Sequence, residues 1–141
     1  MKNISLGLCV LLSLAVGAFA APNAQDVPPM TATLNSARFV FVTSYDGDQF
    51  SANPLPEDQK AIANVQRAIQ KWGRFVVVDN PQQADIVIMV QSRASEDILA
   101  VYDAHDRPGN YVWRMMGQNG LQEGETPLVT NLRAAFEKVA Q

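Results

Sequence analysis

Cysteine and histidine are almost absent from this 141-residue chain, which holds one of each, Cys9 and His105. Cys9 lies in the apolar segment that opens the chain and is expected to be removed with it. The remaining protein then has no thiol, which excludes disulfides, cysteine nucleophiles, cysteine-ligated zinc and iron–sulfur clusters. The sequence also lacks the G-x-S-x-G, H-E-x-x-H, Walker and dinucleotide-binding glycine motifs. We therefore expect no enzymatic activity and no cofactor.

Residues 1–20 have the features of a secretory signal peptide: a positively charged start, a short apolar core over 4–16, and a small-x-small pattern at Ala18-Phe19-Ala20. Cleavage is expected after Ala20 rather than Ala21, because Pro22 directly follows Ala21. The apolar core is shorter than a membrane span, and no cysteine ends it to carry a lipid. The segment predicts a periplasmic or secreted protein without a membrane span after cleavage.

Charged residues make up 18% of the chain and form no block. The net charge of −3 becomes −4 when Lys2 leaves with the signal peptide. Basic residues are scattered from Arg38 to Lys138 without a patch, so nucleic acid is not an expected partner. Residues 21–35 contain three prolines and no apolar period, which predicts a flexible tether. Residues 36–141 are expected to form a single domain.

Three segments, 39–42, 75–78 and 85–90, are apolar on both faces and rich in β-branched residues, which predicts strands. Between the first two, apolar residues at three- and four-residue spacing predict a helix that starts at Pro56 and stops at Gly73. This order predicts that the first two strands pair in parallel. The third follows after about five residues, too few for a parallel return, so we expect it to run antiparallel to the second.

The second half of the domain is predicted to hold a β-hairpin and a last helix. Segments 98–102 and 111–116 flank a polar turn and indicate the hairpin, and Arg114 interrupts an apolar run as edge strands do. Thr126 is expected to cap the helix, and Pro127 suits its first position.

The element order β-α-β-β-β-β-α predicts an α/β (α+β) domain with a mixed five-stranded sheet, in strand order 2-1-3-4-5, packed by two main helices. Two helices on one side cannot cover three strands that are apolar on both faces. Either the helices divide between the two faces of the sheet, or one face is exposed and binds a partner.

Four sequence elements resemble those of small α/β modules in bacterial envelope proteins. They are F-V-F-V-T from residue 39, K-W-G-R-F-V-V-V-D over 71–79, A-D-I-V-I-M-V over 84–90, and L-A-V-Y-D-A over 99–104. The domain is similar to the amino-terminal domain of TolB, to the core of CsgG-type envelope assembly proteins, and to short exported bacterial proteins with the same elements. The resemblance implies a binding or assembly role rather than catalysis. It transfers no functional residue, since the propeller of TolB and the pore-forming insertion and lipid cysteine of CsgG-type proteins have no counterpart in this sequence.

Two polar groups are candidates for chemistry. His105 lies between Asp103 and Asp106, a set that suits either a metal ion or a general base, and equally a solvated hairpin turn.

Tyr45, Asp46 and Asp48 lie in a long loop after the first strand, where Asp-Gly is typical of a turn. Because ligands of α/β sheets bind at the carboxyl ends of strands, any site is expected in this 43–56 loop, and these three residues are its binding candidates. No metal is assigned to it.

Trp113 is the fourth binding candidate. It shares a predicted strand face with Tyr111 and Met115, and that face is either core or an exposed aromatic patch.

Two functional hypotheses follow. The favoured one is an exported, non-enzymatic module of the envelope that binds a protein or another envelope component, a second copy of the chain included. The alternative is a small hydrolase or metal-dependent enzyme that uses the 43–56 loop together with Asp103 and His105.

Overall fold

A computed structural model of the protein describes residues 27–44, 54–106, 110–124 and 126–141, and it confirms the predicted α/β class. Five strands form one mixed sheet in the predicted order β2-β1-β3-β4-β5. The strands are β1 (Phe39–Ser44), β2 (Val76–Val77), β3 (Ile86–Ser92), β4 (Asp97–Asp103) and β5 (Trp113–Gly117), and the helices are α1 (Pro56–Trp72) and α2 (Pro127–Val139).

The ends of α1 lie where the sequence predicts them. Pro56 is the first helical residue, where its missing N–H removes no intrahelical hydrogen bond. Gly73 ends the helix with a φ of 77°, a left-handed conformation that residues with a Cβ rarely adopt. Its N–H donates to the carbonyl oxygen of Ile69.

The direction of β3 differs from the prediction. β1 pairs in parallel with β2 on one side and with β3 on the other, so β2 and β3 run in the same direction rather than antiparallel. The expectation failed because β2 is only two residues long. Val77 and Ile86 both pair with Val40, from opposite sides of β1. The segment from β2 to β3 therefore only has to cross β1, and it does not have to run back along the length of a strand before β3 begins.

Both helices pack on the same face of the sheet. Their apolar residues form one core cluster with alternate residues of the strands, among them Val40, Ile88, Val101 and Met115. The rings of Trp72 and Phe136 join the two helices, with centroids 5.8 Å apart in an edge-to-face arrangement. The sequence left open whether the two helices lie on opposite faces of the sheet or on the same face. The structure places both on the same face.

The predicted tether is partly ordered. A 3-10 helix spans Ala32–Ser36, and Met30 and Leu34 are buried in the core at 6% and 3% exposure. The expectation of a flexible segment over 21–35 is therefore wrong for residues 27–35, while residues 21–26 lie outside the described part of the chain. Its proline content indicated flexibility, but two apolar side chains spaced four residues apart dock on the domain.

The start of α2 also differs in detail. Pro127 is the first helical residue as predicted, but the Thr126 side chain makes no capping hydrogen bond. Thr126 has a φ of 34°, and its hydroxyl donates instead to the carbonyl oxygen of Gln122 at 3.0 Å. Within the described residues, no helix has both the length and the apolar character of a membrane span.

Candidate functional site

A cluster of buried and partly buried polar side chains lies at the carboxyl ends of β1 and β3, the end of the sheet where the sequence predicts a site. Tyr45, Asp46 and Asp48 fall outside the described residues, so their proposed role stays a prediction. None of the residues in this cluster is among the site candidates that the sequence predicts. The residues of the cluster are Ser44, Asp58, Asn64, Ser92, Arg93 and Asp97.

Asp58 is fully buried in the first turn of α1. Its Oδ1 accepts hydrogen bonds from the backbone N–H of Ser92 at 2.8 Å and from Nη1 of Arg93 at 3.0 Å. The charge is thus paired, which a buried carboxylate requires. Among the described residues, Asp58 Oδ2 and the hydroxyl of Ser44 are buried and have no hydrogen-bond partner.

Asp97, at the start of β4, connects a second set of elements. Its Oδ1 accepts from the Ser92 hydroxyl at 2.8 Å and its Oδ2 from the Leu121 N–H at 3.0 Å. Asn64 of α1 donates to the carbonyl oxygen of Leu121 at 3.0 Å. These bonds tie the glycine-rich loop between β5 and α2 to both α1 and β4.

A cavity of about 290 Å³ adjoins this cluster and has a polar lining that includes Lys60, Asn64, Arg93 and Asp97. Three of its polar residues bind within the protein: Asn64 to Leu121, Arg93 to Asp58, and Asp97 through both of its carboxylate oxygens. These hydrogen bonds form a structural network that holds the loop between β5 and α2.

The histidine of the predicted Asp103–His105–Asp106 group lies in an exposed turn. The His105 N–H donates to Asp103 Oδ1 at 2.8 Å, which is the turn that the alternative interpretation predicts. The His105 side chain is 75% exposed, and its Nε2 lies 3.8 Å from Oδ1 of Asp85. In the described ranges, no group of three His, Cys, Asp or Glu side chains is arranged to hold a metal ion.

Asp85 anchors the start of β1. Its Oδ2 accepts hydrogen bonds from the backbone N–H groups of Arg38 at 2.8 Å and Phe39 at 2.9 Å. These two bonds lower the pKa of the Asp85 carboxyl, and His105 nearby acts in the same direction. The sequence places residue 85 at the start of a predicted strand but does not reveal this contact, since its partners lie 47 and 46 residues earlier.

Trp113 belongs to the core and is 1% exposed. Its Nε1 donates to the carbonyl oxygen of Pro28 at 2.9 Å. Of the two alternatives for its strand face, the exposed aromatic patch is therefore wrong, and Trp113 has no surface with which to bind a partner. Tyr111 is not in the core with Trp113. Its side chain is exposed, and its ring contacts the ring of Tyr102 and the guanidinium of Arg114.

The sheet face opposite α1 and α2 carries the other alternate residues of the strands, and it is termed the helix-free face because no helix of the described residues packs on it. No residue of that face belongs to the core cluster that the helices share. Its centre is buried, with Val87 at 3%, Met89 at 5% and Ala100 at 0% exposure. Its rim is exposed at Phe39, Val76 and Met116. The residues of this face are Phe39, Phe41, Thr43, Val76, Val87, Met89, Gln91, Ile98, Ala100, Tyr102, Arg114 and Met116.

No protein-family model matches the chain, and a search of curated proteins finds no significant match. The resemblance to the TolB amino-terminal domain and the CsgG-type core therefore stays a prediction from the sequence elements.

Proposed function

We propose that this protein is an exported, non-enzymatic binding module of the bacterial envelope that docks a protein partner on its helix-free face. The observation that carries the proposal is where the exposed large apolar side chains lie. In the described part of the chain there are five, and three of them, Phe39, Val76 and Met116, are on this face. A fourth, Tyr111, is 51% exposed and contacts Tyr102 and Arg114 there. Such a concentration on one surface is typical of a docking site.

The charge on this face defines the partner's chemistry. Arg114 is the one charged residue among the strand positions of the face, and it makes no ion pair with a described residue. Its guanidinium lies 5.9 Å from the centroid of the Tyr111 ring. An apolar surface around an unpaired cation fits a partner that presents apolar residues around a carboxylate. A second copy of the chain fits less well, because two such faces bring two cations and no anion.

Paired variants test the proposal in cross-linked capture from envelope extract. Arg114→Glu reverses the cation and Val76→Asp places a charge on the exposed rim, while Lys138→Glu makes the same charge reversal on α2, away from the face. We expect the wild type and Lys138→Glu to retain one defined partner and the two face variants to lose it. Equal capture by all four proteins, or capture of no defined partner, would refute the proposal.

Light scattering of the same four proteins separates self-association from binding to another protein. A dimer that dissociates in both face variants would identify a second copy as the occupant and overturn the assignment of an acidic partner. A monomer that keeps its variant-sensitive partner supports it. Circular dichroism of each variant confirms that the fold is intact.

A further inference from the structure

A groove of about 620 Å³ runs between the end of α1 and the start of α2, on the helix side of the domain. This volume lies in the range of small-molecule sites, roughly 300–1,000 Å³. Ala68, Trp72 and Val129 contribute apolar surface, and Lys71, Asn131 and Arg133 contribute polar groups. The groove lies on the helix side of the sheet, opposite the helix-free face, so ligand binding in it is independent of the proposed function.

The position of Trp72 is fixed by the core behind the groove. Its indole meets the Phe75 ring at a centroid distance of 5.2 Å and the Phe136 ring at 5.8 Å, both edge-to-face. The side chain is nevertheless only partly buried, and its remaining surface lines the groove. The ring contacts already fix the indole, so the Trp72 side chain loses little conformational entropy when a flat ligand packs on its exposed surface.

The polar lining of the groove is cationic. Among the lining residues that the structure describes, none is Asp or Glu, although the chain as a whole has a net charge of −3. Lys71 makes no ion pair with a described residue. Arg133 bonds Oε1 of Glu137 through its Nε at 2.8 Å, which leaves the Nη groups as donors. Two cations beside an apolar surface are complementary to a ligand that combines an anionic group with an apolar body.

We propose that this groove binds a small organic anion with a flat apolar body, such as an aromatic carboxylate or sulfonate. The ring lies against Trp72 and the apolar surface, and the anionic group receives charge-assisted hydrogen bonds from Lys71 and Arg133. A neutral molecule of the same shape gains only the apolar contact, so the site discriminates by charge.

Two dyes of nearly the same shape test this selectivity. The probe is 8-anilinonaphthalene-1-sulfonate, and the comparison is N-phenyl-1-naphthylamine, which lacks the sulfonate. Fluorescence titration of the full chain is expected to give tighter binding of the sulfonate, with Lys71→Gln and Arg133→Gln each weakening it about threefold to tenfold. Binding of the neutral dye is expected to stay the same in these variants.

The chain offers a matched control for Lys71. Lys71 and Lys138 are each the basic residue in the last turn of their helix, but only Lys71 lines the groove. We expect Lys138→Gln to leave the sulfonate affinity unchanged. Equal effects of the two lysine substitutions, or equal affinity for the two dyes, would overturn the proposal. So would a loss of sulfonate binding in Arg114→Gln, because it would place the dye on the helix-free face.

Discussion

The indole Nε1 of Trp113 donates a hydrogen bond of 2.9 Å to the carbonyl oxygen of Pro28, which lies 85 residues earlier in the chain. Trp113 is the first residue of edge strand β5, and Pro28 precedes the buried Met30 and Leu34. The bond satisfies the one polar atom of a side chain that is otherwise wholly in the core. It also fixes the segment that leads into the domain.

Trp113→Phe is expected to lower the free energy of unfolding by about 2 kcal/mol, because it removes the indole hydrogen bond and leaves unfilled volume in the core. Urea denaturation measures the loss. Tyr111→Phe is the control, since the Tyr111 side chain is exposed and its substitution should change stability by less than about 0.5 kcal/mol. Equal stability of the two variants would show that the contact with Pro28 contributes nothing.

Trp72→Ala is expected to destabilise the domain by about 3 kcal/mol, a large share of a domain stability of ~5–15 kcal/mol. The reason is that the indole connects Phe75 and Phe136 across the two helices. Urea unfolding followed by circular dichroism gives the value. A loss below about 1 kcal/mol would mean that the ring contributes to the groove surface but not to the packing.

Gly120→Ala is expected to be destabilising by about 1–3 kcal/mol through overpacking. A Cβ at residue 120 would clash with Cγ of Leu128 and lie 2.7 Å from its Cδ1, and Leu128 is 1% exposed and cannot move aside. Gly117→Ala is the matched control, because its nearest neighbour is a Leu128 methyl at 3.6 Å, an ordinary contact distance. Thermal unfolding of both variants tests the prediction, which fails if Gly117→Ala is the more damaging.

Asp85 predicts a specific dependence of stability on pH. Its folded-state pKa is lowered, so the stabilisation it provides is fully present above its unfolded pKa of about 3.9. It is lost as the pH falls through the lower folded pKa. The wild type is therefore expected to exceed Asp85→Asn in stability most at neutral pH, with the difference shrinking below about pH 4.

Asp79→Asn is the control for that experiment, since Asp79 is an exposed aspartate near the other end of the same connection. Urea midpoints from pH 3 to 7 should be nearly the same for Asp79→Asn and the wild type. A constant difference between Asp85→Asn and the wild type across this range would contradict the assigned cause.

The sequence determined the elements whose signals are local. Pro56 and Gly73 set the ends of α1 through their own backbone constraints, and the apolar stripes of both helices follow from three- and four-residue spacing. Arg114 indicated the edge position of β5, and the predicted strand order was right. The helix ends and the apolar stripes depend on the residue itself or on neighbours within one or two turns. The strand order follows from the sequence of elements along the chain and from the connections between them.

Only the tertiary structure decided features that depend on distant partners. The direction of β3 depends on how short β2 is, and the packing of residues 27–35 depends on Trp113 and the core. Asp58, Asp85 and Asp97 look like surface aspartates in the sequence, yet each accepts backbone hydrogen bonds from residues 24 to 47 positions away. The placement of both helices on one face likewise comes from packing. A hydrophobic pattern records that a side chain is buried, but not which distant residue covers it, and that pairing is fixed only when the whole chain folds.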